Sequence, residues 1–139
     1  YVGPHKICMM PWICPENYDD SMETLKESDA KYCMGHFEIS GFAMYRGMES
    51  HDGLSKETFQ KFDLVFSGHY HHRSSMGNIS YIGAFAEYTW SDYNDPRGFS
   101  IFDTDTRQIE FIRNPHRMFR LMKYDDVADQ TGPAFGSVN

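Results

Sequence analysis

Leu64-Val65-Phe66-Ser67-Gly68-His69-Tyr70-His71-His72 is a short apolar run that stops at serine and glycine and then delivers three histidines in four residues. A brief apolar segment closed by a turn residue reads as a buried strand. Gly68 frees the backbone to turn at its end. His69 and His71, two apart, can then aim two rings at one pocket with no helical spacing to satisfy. Imidazole is a common ligand for divalent transition metals, so the stretch points to a metal site at a strand end. The alternative is a solvated histidine-rich turn, or a histidine buried by a hydrogen bond.

A second stretch matches the first. Ala30 to Gly35 reads as another buried strand, and it too ends in glycine and histidine, at Gly35-His36. In an open sheet, ligand sites gather in the loops beyond the carboxyl ends of the strands. His36, His69 and His71 are therefore the candidate metal ligands. A lone Gly-His is more often structural, and it is the repetition at matched strand ends that gives the pattern its weight.

The neighbouring segments supply an α/β order. Ile7 to Ile13 is a short apolar run expected to form a strand whose tail leaves the sheet at Pro11. Asp20 and Ser21 offer capping oxygens for a short helix over Ser21 to Glu27. Ser55, with Leu54 before it and Phe59 after, predicts a stapled helix bearing Phe59 and Phe62. Asn78 to Ala84 is a fourth strand, and Gly98 to Asp103 pairs with Gln108 to Arg113 as a hairpin. Beyond Pro115 the pattern fades, and residues 121–139 read as a tail or the start of a linker.

Composition narrows the classes. With 139 residues, 40% hydrophobic and 16% aromatic, the chain is long and apolar enough to bury a core, which excludes disorder. A net charge of −7 gives no general electrostatic reason to bind nucleic acid, so any DNA contact must be local or mediated by metal. Cys8, Cys14 and Cys33 form an odd set without Cys-x-x-Cys spacing, which argues against a disulfide framework and fits a reducing cytoplasm. No apolar run reaches the roughly 20 residues that span a bilayer. The opening Tyr-Val-Gly-Pro-His, without Met, is expected of a sequence that begins inside a larger reading frame.

The Gly-His and Gly-His-x-His motifs resemble the last metal motifs of calcineurin-like metallophosphoesterases. Five blocks in order resemble more narrowly the SbcD-type double-strand-break repair nucleases and phage recombination endonucleases. They are Met10 to Asn17, Gly35 to Phe42, Tyr45 to His51, Ser67 to His71 and Asn94 to Phe99. The resemblance covers about residues 7–120, so residues 1–120 are expected to be the C-terminal part of a nuclease domain. The implied fold is α/β, the C-terminal half of a four-layer sandwich of mixed sheets flanked by helices.

By the same resemblance, His36 and His69 ligate one metal and His71 the other, in a site for two divalent ions, manganese first, with magnesium or zinc as alternatives. The implied activity is metal-dependent hydrolysis of DNA phosphodiesters, with DNA and an SMC-like ATPase subunit as partners. The family's Asp-x-His and Asn-His-Asp motifs do not occur in this chain. The fragment alone is accordingly expected to bind metal weakly and to be nearly inactive. Half a sandwich would also expose an apolar face, which a homodimer could cover. A noncatalytic interaction module of the same fold, or a phosphoesterase for another substrate, are the competing readings.

Further residues carry weaker expectations. His51, where the family has a matching Ser-His, is a candidate substrate contact, although a simple loop residue is the commoner fate; His72, beside the ligands, is expected to be solvated or to face substrate rather than to ligate metal. Arg97 could meet a phosphate, but pairing with a carboxylate is the more frequent outcome. Phe85, Tyr88, Trp90 and Tyr93 could stack on unpaired bases, with core packing or a domain interface as the ordinary explanation.

Overall fold

The computed structural model describes residues 1–45 and 47–123. The Asp125 and Asp126 carboxylates and most of the expected tail lie outside them. β1 spans Ile7–Met9, and a 3-10 turn at Pro15–Asn17 leads into α1, Tyr18–Glu27. β2 is Tyr32–Gly35, β3 Ala43–Tyr45 and β4 Met48–Glu49. After a 3-10 turn at Lys56–Phe59 come β5, Leu64–Ser67, β6, Ser74–Met76, and β7, Ile79–Tyr81. Following a 3-10 turn at Trp90–Asp92, β8, Gly98–Phe102, and β9, Ile109–Arg113, complete the order.

A mixed sheet of five strands, in the order β1-β2-β5-β7-β6, carries the fold. β1, β2, β5 and β7 run parallel, and only the edge strand β6 is antiparallel. The architecture is mixed α/β, as the sequence implied, but the described residues hold a single α-helix, fewer than the flanking helices expected. β5 lies at the centre, and its Val65, Phe66 and Ser67 are all buried, as a parallel strand covered on both faces requires. One face packs Cys33, Val65 and Ile79 against Leu25, Phe37, Phe59 and Phe62. Each such side chain removed from water stabilises the fold by about 1.5–3 kcal/mol. On the other face, Phe102 of the β8–β9 hairpin lies 5.3 Å from Tyr32 and 5.1 Å from Phe66. Met9, Phe99 and Ile101 remain exposed.

α1 starts before the expected Ser21 because the Pro15–Asn17 turn runs directly into it, placing Asp19 and Asp20 in the first turn. There the acids favour the positive end of the helix dipole. The expected helix after Ser55 is a single 3-10 turn. The carbonyls of Phe59 and Phe62 accept hydrogen bonds from the Asn78 side-chain amide, at 2.9 and 2.7 Å, and these bonds hold the chain as it turns into β5. Three elements had no signal in the sequence. β3 and β4 are too short to show alternation, and β6 is a polar edge strand that needs no buried side.

The loop from β7 to β8 corrects one expectation. Phe85, Tyr88 and Trp90 are exposed by 58%, 62% and 62%, so they are not core residues. The loop is anchored instead by buried polar groups, Glu87, Asp92 and Arg97, which turn its aromatics to the surface. Glu87 accepts the backbone N–H of Met118 and Phe119, at 2.9 and 3.0 Å, and Trp90 stacks on Phe119 at 4.7 Å.

Those bonds make the Glu87 contact sensitive to acid. The N–H of Phe119, followed by those of Met118 and Asn94 and by Arg117, holds the Glu87 carboxyl below its ordinary value against the opposing effect of burial. Because the folded group titrates below its unfolded value of about 4.3, its contribution is complete above that pH and is lost as pH falls through the lower folded value. Trp90 fluorescence in a Trp12→Phe background should therefore change below about pH 4, while Glu87→Gln should show the changed signal already at neutral pH. A flat acid titration of Trp90 would contradict this account.

Candidate metal centre

β2 and β5 are adjacent and parallel, with Gly35 opposite Ser67. Their chains leave the sheet side by side, and the Gly68 N–H donates to the Gly35 carbonyl at 3.0 Å. This register brings His36 and His69 together, with ring centroids 5.1 Å apart and planes at 90°. Gly68 makes the approach feasible, since a Cβ there would stand 2.9 Å from His36 Nδ1. The loop after His36 is pinned from below. Ser67 Oγ accepts the Phe37 N–H at 3.0 Å, and Tyr81 Oη donates to the Phe37 carbonyl at 2.9 Å while accepting the Ile39 N–H at 3.0 Å.

His69 has a backbone φ of 73°, a left-handed conformation that costs a non-glycine residue about 1–2 kcal/mol. Such strain persists where the surroundings over-determine it, and it clusters at functional sites. Burial, then the neighbouring His36, pushes the His69 imidazole below its ordinary pKa. The lowered value favours the neutral ring, the state in which a ring nitrogen can ligate a metal.

His71 follows on the same loop. It lines a hollow of about 240 Å³ together with His69, Met44, Tyr45, Tyr70, Thr89 and Ser91. Its Nδ1 lies 3.1 Å from both carboxylate oxygens of Asp92, and His72 Nδ1 lies 2.8 Å from Asp95 Oδ2. Arg97 Nη2 donates to Asp92 at 3.0 Å and to Asp95 at 2.9 Å, and Nη1 donates to the His71 carbonyl. Burial raises the Asp92 carboxyl, but the N–H groups of Thr89 and Tyr88, with His71 and Arg97, outweigh it and leave the pKa below the ordinary range.

No protein-family model matches the chain. It is 43% identical over 118 residues, 85% of its length, to exonuclease subunit 1 of Enterobacteria phage T4, covering 34% of that relative. The chain is a homologue of SbcD-type nuclease subunits. The SbcD-type component of the SbcCD nuclease from Staphylococcus epidermidis is 32% identical over 60 residues, 42% of this chain and 16% of the relative. Its counterpart from Staphylococcus saprophyticus is 25% identical over 125 residues, 78% of this chain and 32% of the relative. The chain spans about a third of the length of the phage relative, which it matches over 34% of that length.

Within this SbcD-type homologue, His51 is exposed in the loop between β4 and the Lys56–Phe59 turn, and Leu54 of that loop lines a recess with His36. Arg97 is 3% exposed and occupied by Asp92 and Asp95, the carboxylate pairing named beside its phosphate role. Sequence reasoning passed over Asp92 and Asp95. The spacing Asp-x-x-Asp-Pro-Arg was visible, but nothing in it said that the acids face histidines some 20 positions earlier.

Among the described residues, no group of three or more His, Cys, Asp or Glu side chains is arranged to hold a metal ion by itself. The donors present still fit an ion that receives further ligands. His36 and His69, with their rings in edge contact, and His71, which lines the hollow beside His69, are nitrogen donors of the kind that divalent transition metals accept. Of the described helices, none is long and apolar enough to cross a membrane.

Proposed function

We propose that this chain is the part of a metal-dependent DNA phosphodiesterase that supplies His36, His69 and His71 to a site for two divalent ions. One observation carries the reading. In a homologue of nuclease subunits, two neighbouring parallel strands end in histidines whose rings meet at 5.1 Å, under a strained backbone at His69.

His36 and His69 would hold one ion and His71 the other, with manganese the first candidate. Bound metal lowers the pKa of water to give hydroxide near neutral pH and polarises the phosphodiester. This chain's own residues set positions: Gly68 admits the His36 ring, Tyr81 and Ser67 fix the backbone behind it, and Asp92 backs His71. Three neutral imidazoles do not balance the charge of two dications. We therefore place the carboxylate ligands in the two thirds of the phage relative's length that this chain does not match, and the isolated chain is nearly inactive. DNA as substrate and an SMC-like ATPase as partner belong to the same proposal.

The complete protein should cleave DNA with added Mn²⁺ and stop when the metal is chelated. A complete protein without metal-dependent cleavage would leave the noncatalytic module standing. Gly68→Ala gives a finer test, because its new methyl group would press on the His36 ring from 2.9 Å. Mn²⁺ affinity should fall at least about tenfold, in the range for disturbed metal-site geometry. Unchanged affinity in that variant would separate His36 from the metal.

A further inference from the structure

We propose that Arg97, Asp92 and Asp95 form a positioning clamp that fixes His71 and His72 as Nδ1–H tautomers, leaving Nε2 of each ring as the free lone pair. For His71, the consequence for metal binding rests on the site proposed above; the clamp itself does not.

The geometry is unusually complete around Asp92. Its side chain has no exposed surface, and Oδ2 accepts the backbone N–H groups of Tyr88 and Thr89 at 2.8 and 2.9 Å. Oδ1 accepts Arg97 Nη2 at 3.0 Å, and both oxygens face His71 Nδ1 at 3.1 Å. An ionised carboxylate can only accept hydrogen bonds. The nitrogen that meets it must then carry the proton, and the bond at one ring nitrogen dictates the state of the other. Asp95 repeats the arrangement one residue along, taking His72 Nδ1 at 2.8 Å.

Arg97 joins the two. Its side chain is 2% exposed, Nη2 bridges both carboxylates, and Nη1 holds the His71 carbonyl. One guanidinium thus fixes the main chain of His71 and the partners of both rings. A planar fork of donors can do this, whereas a lysine ammonium is a single point. A carboxylate behind a ligating imidazole orients the ring and raises its basicity. Asp92, Asp95 and Arg97 therefore act through the histidines and touch no ion themselves.

The test is a long-range ¹H–¹⁵N correlation spectrum of the full chain, metal-free, at about pH 8.5, where unperturbed imidazoles are neutral. His71 and His72 should each show a protonated Nδ1 and a bare Nε2. Arg97→Lys should loosen both tautomers and leave His51 and His116 unchanged, while Asp95→Asn should alter His72 alone. Either ring found as the Nε2–H form in the unsubstituted chain, or His71 unmoved by Arg97→Lys, overturns the clamp. Adding Zn²⁺ to the complete protein, where the remaining ligands are present, separates the two ideas. A shift of His71 Nε2 that weakens about 10–100-fold in Arg97→Lys supports both. Clamped tautomers with no response to Zn²⁺ would uphold the clamp and remove His71 from the metal site.

Discussion

Replacing His69 by alanine in the complete protein is expected to lower Mn²⁺-dependent DNA cleavage by more than about 100-fold, beyond the 10–100-fold typical of a lost outer partner. The ring touches His36 at 5.1 Å and shares a hollow with His71, so its loss would remove the donor common to both neighbours. Stability should behave differently. With φ at 73°, alanine keeps the strained backbone that glycine would relieve. His69→Gly should consequently be more stable than His69→Ala by about 1 kcal/mol, although both are inactive. Urea midpoints compared with cleavage rates check this. An alanine variant that cleaves DNA normally would remove His69 from the site, and an alanine variant as stable as the glycine one would refute the strain.

Phe37→Ala should cause the largest loss of stability, about 3–5 kcal/mol from lost transfer energy and the cavity left behind. Its ring is 1% exposed, packs 4.8 Å from Phe59, and fills the space beside Gly35 so closely that a Cβ there would meet it at 2.4 Å. Collapse into that space is hindered because the backbone of Phe37 is tied to Ser67 and Tyr81. Since whole domains are stable by only about 5–15 kcal/mol, such a loss would leave much of the protein unfolded. His36, one residue away, would lose its support as well. A fall in the urea midpoint worth less than about 1 kcal/mol would show that the core closes over the gap.

The apolar faces of the exposed side chains bear on the same balance. Half a sandwich is expected to leave an uncovered face; on the second face of the five-stranded sheet Met9 stands 69% exposed, whereas the exposed Phe99 and Ile101 lie on the side of β8 opposite Phe102. The β8–β9 hairpin covers the part of that face over Tyr32 and Phe66. Residues flanking this patch belong to strands that the sequence identified, but which neighbour each strand would find was not written in their pattern.

By itself, the sequence determined the strands whose apolar runs end in Gly35-His36 and Gly68-His69, the β8–β9 hairpin, and the histidines worth following. Those features are local: burial writes hydrophobic runs, and turns demand glycine. Only the tertiary structure decided that β2 and β5 are neighbours in register, that Asn78 ties down the carbonyls of the 3-10 turn before β5, and that the Tyr88-to-Tyr93 aromatics face solvent. It alone placed Asp92 and Asp95 behind His71 and His72. Contacts between side chains 21 and 23 residues apart leave no periodic trace in a chain, because a hydrogen bond fixes the distance between two groups and says nothing about the residues that separate them.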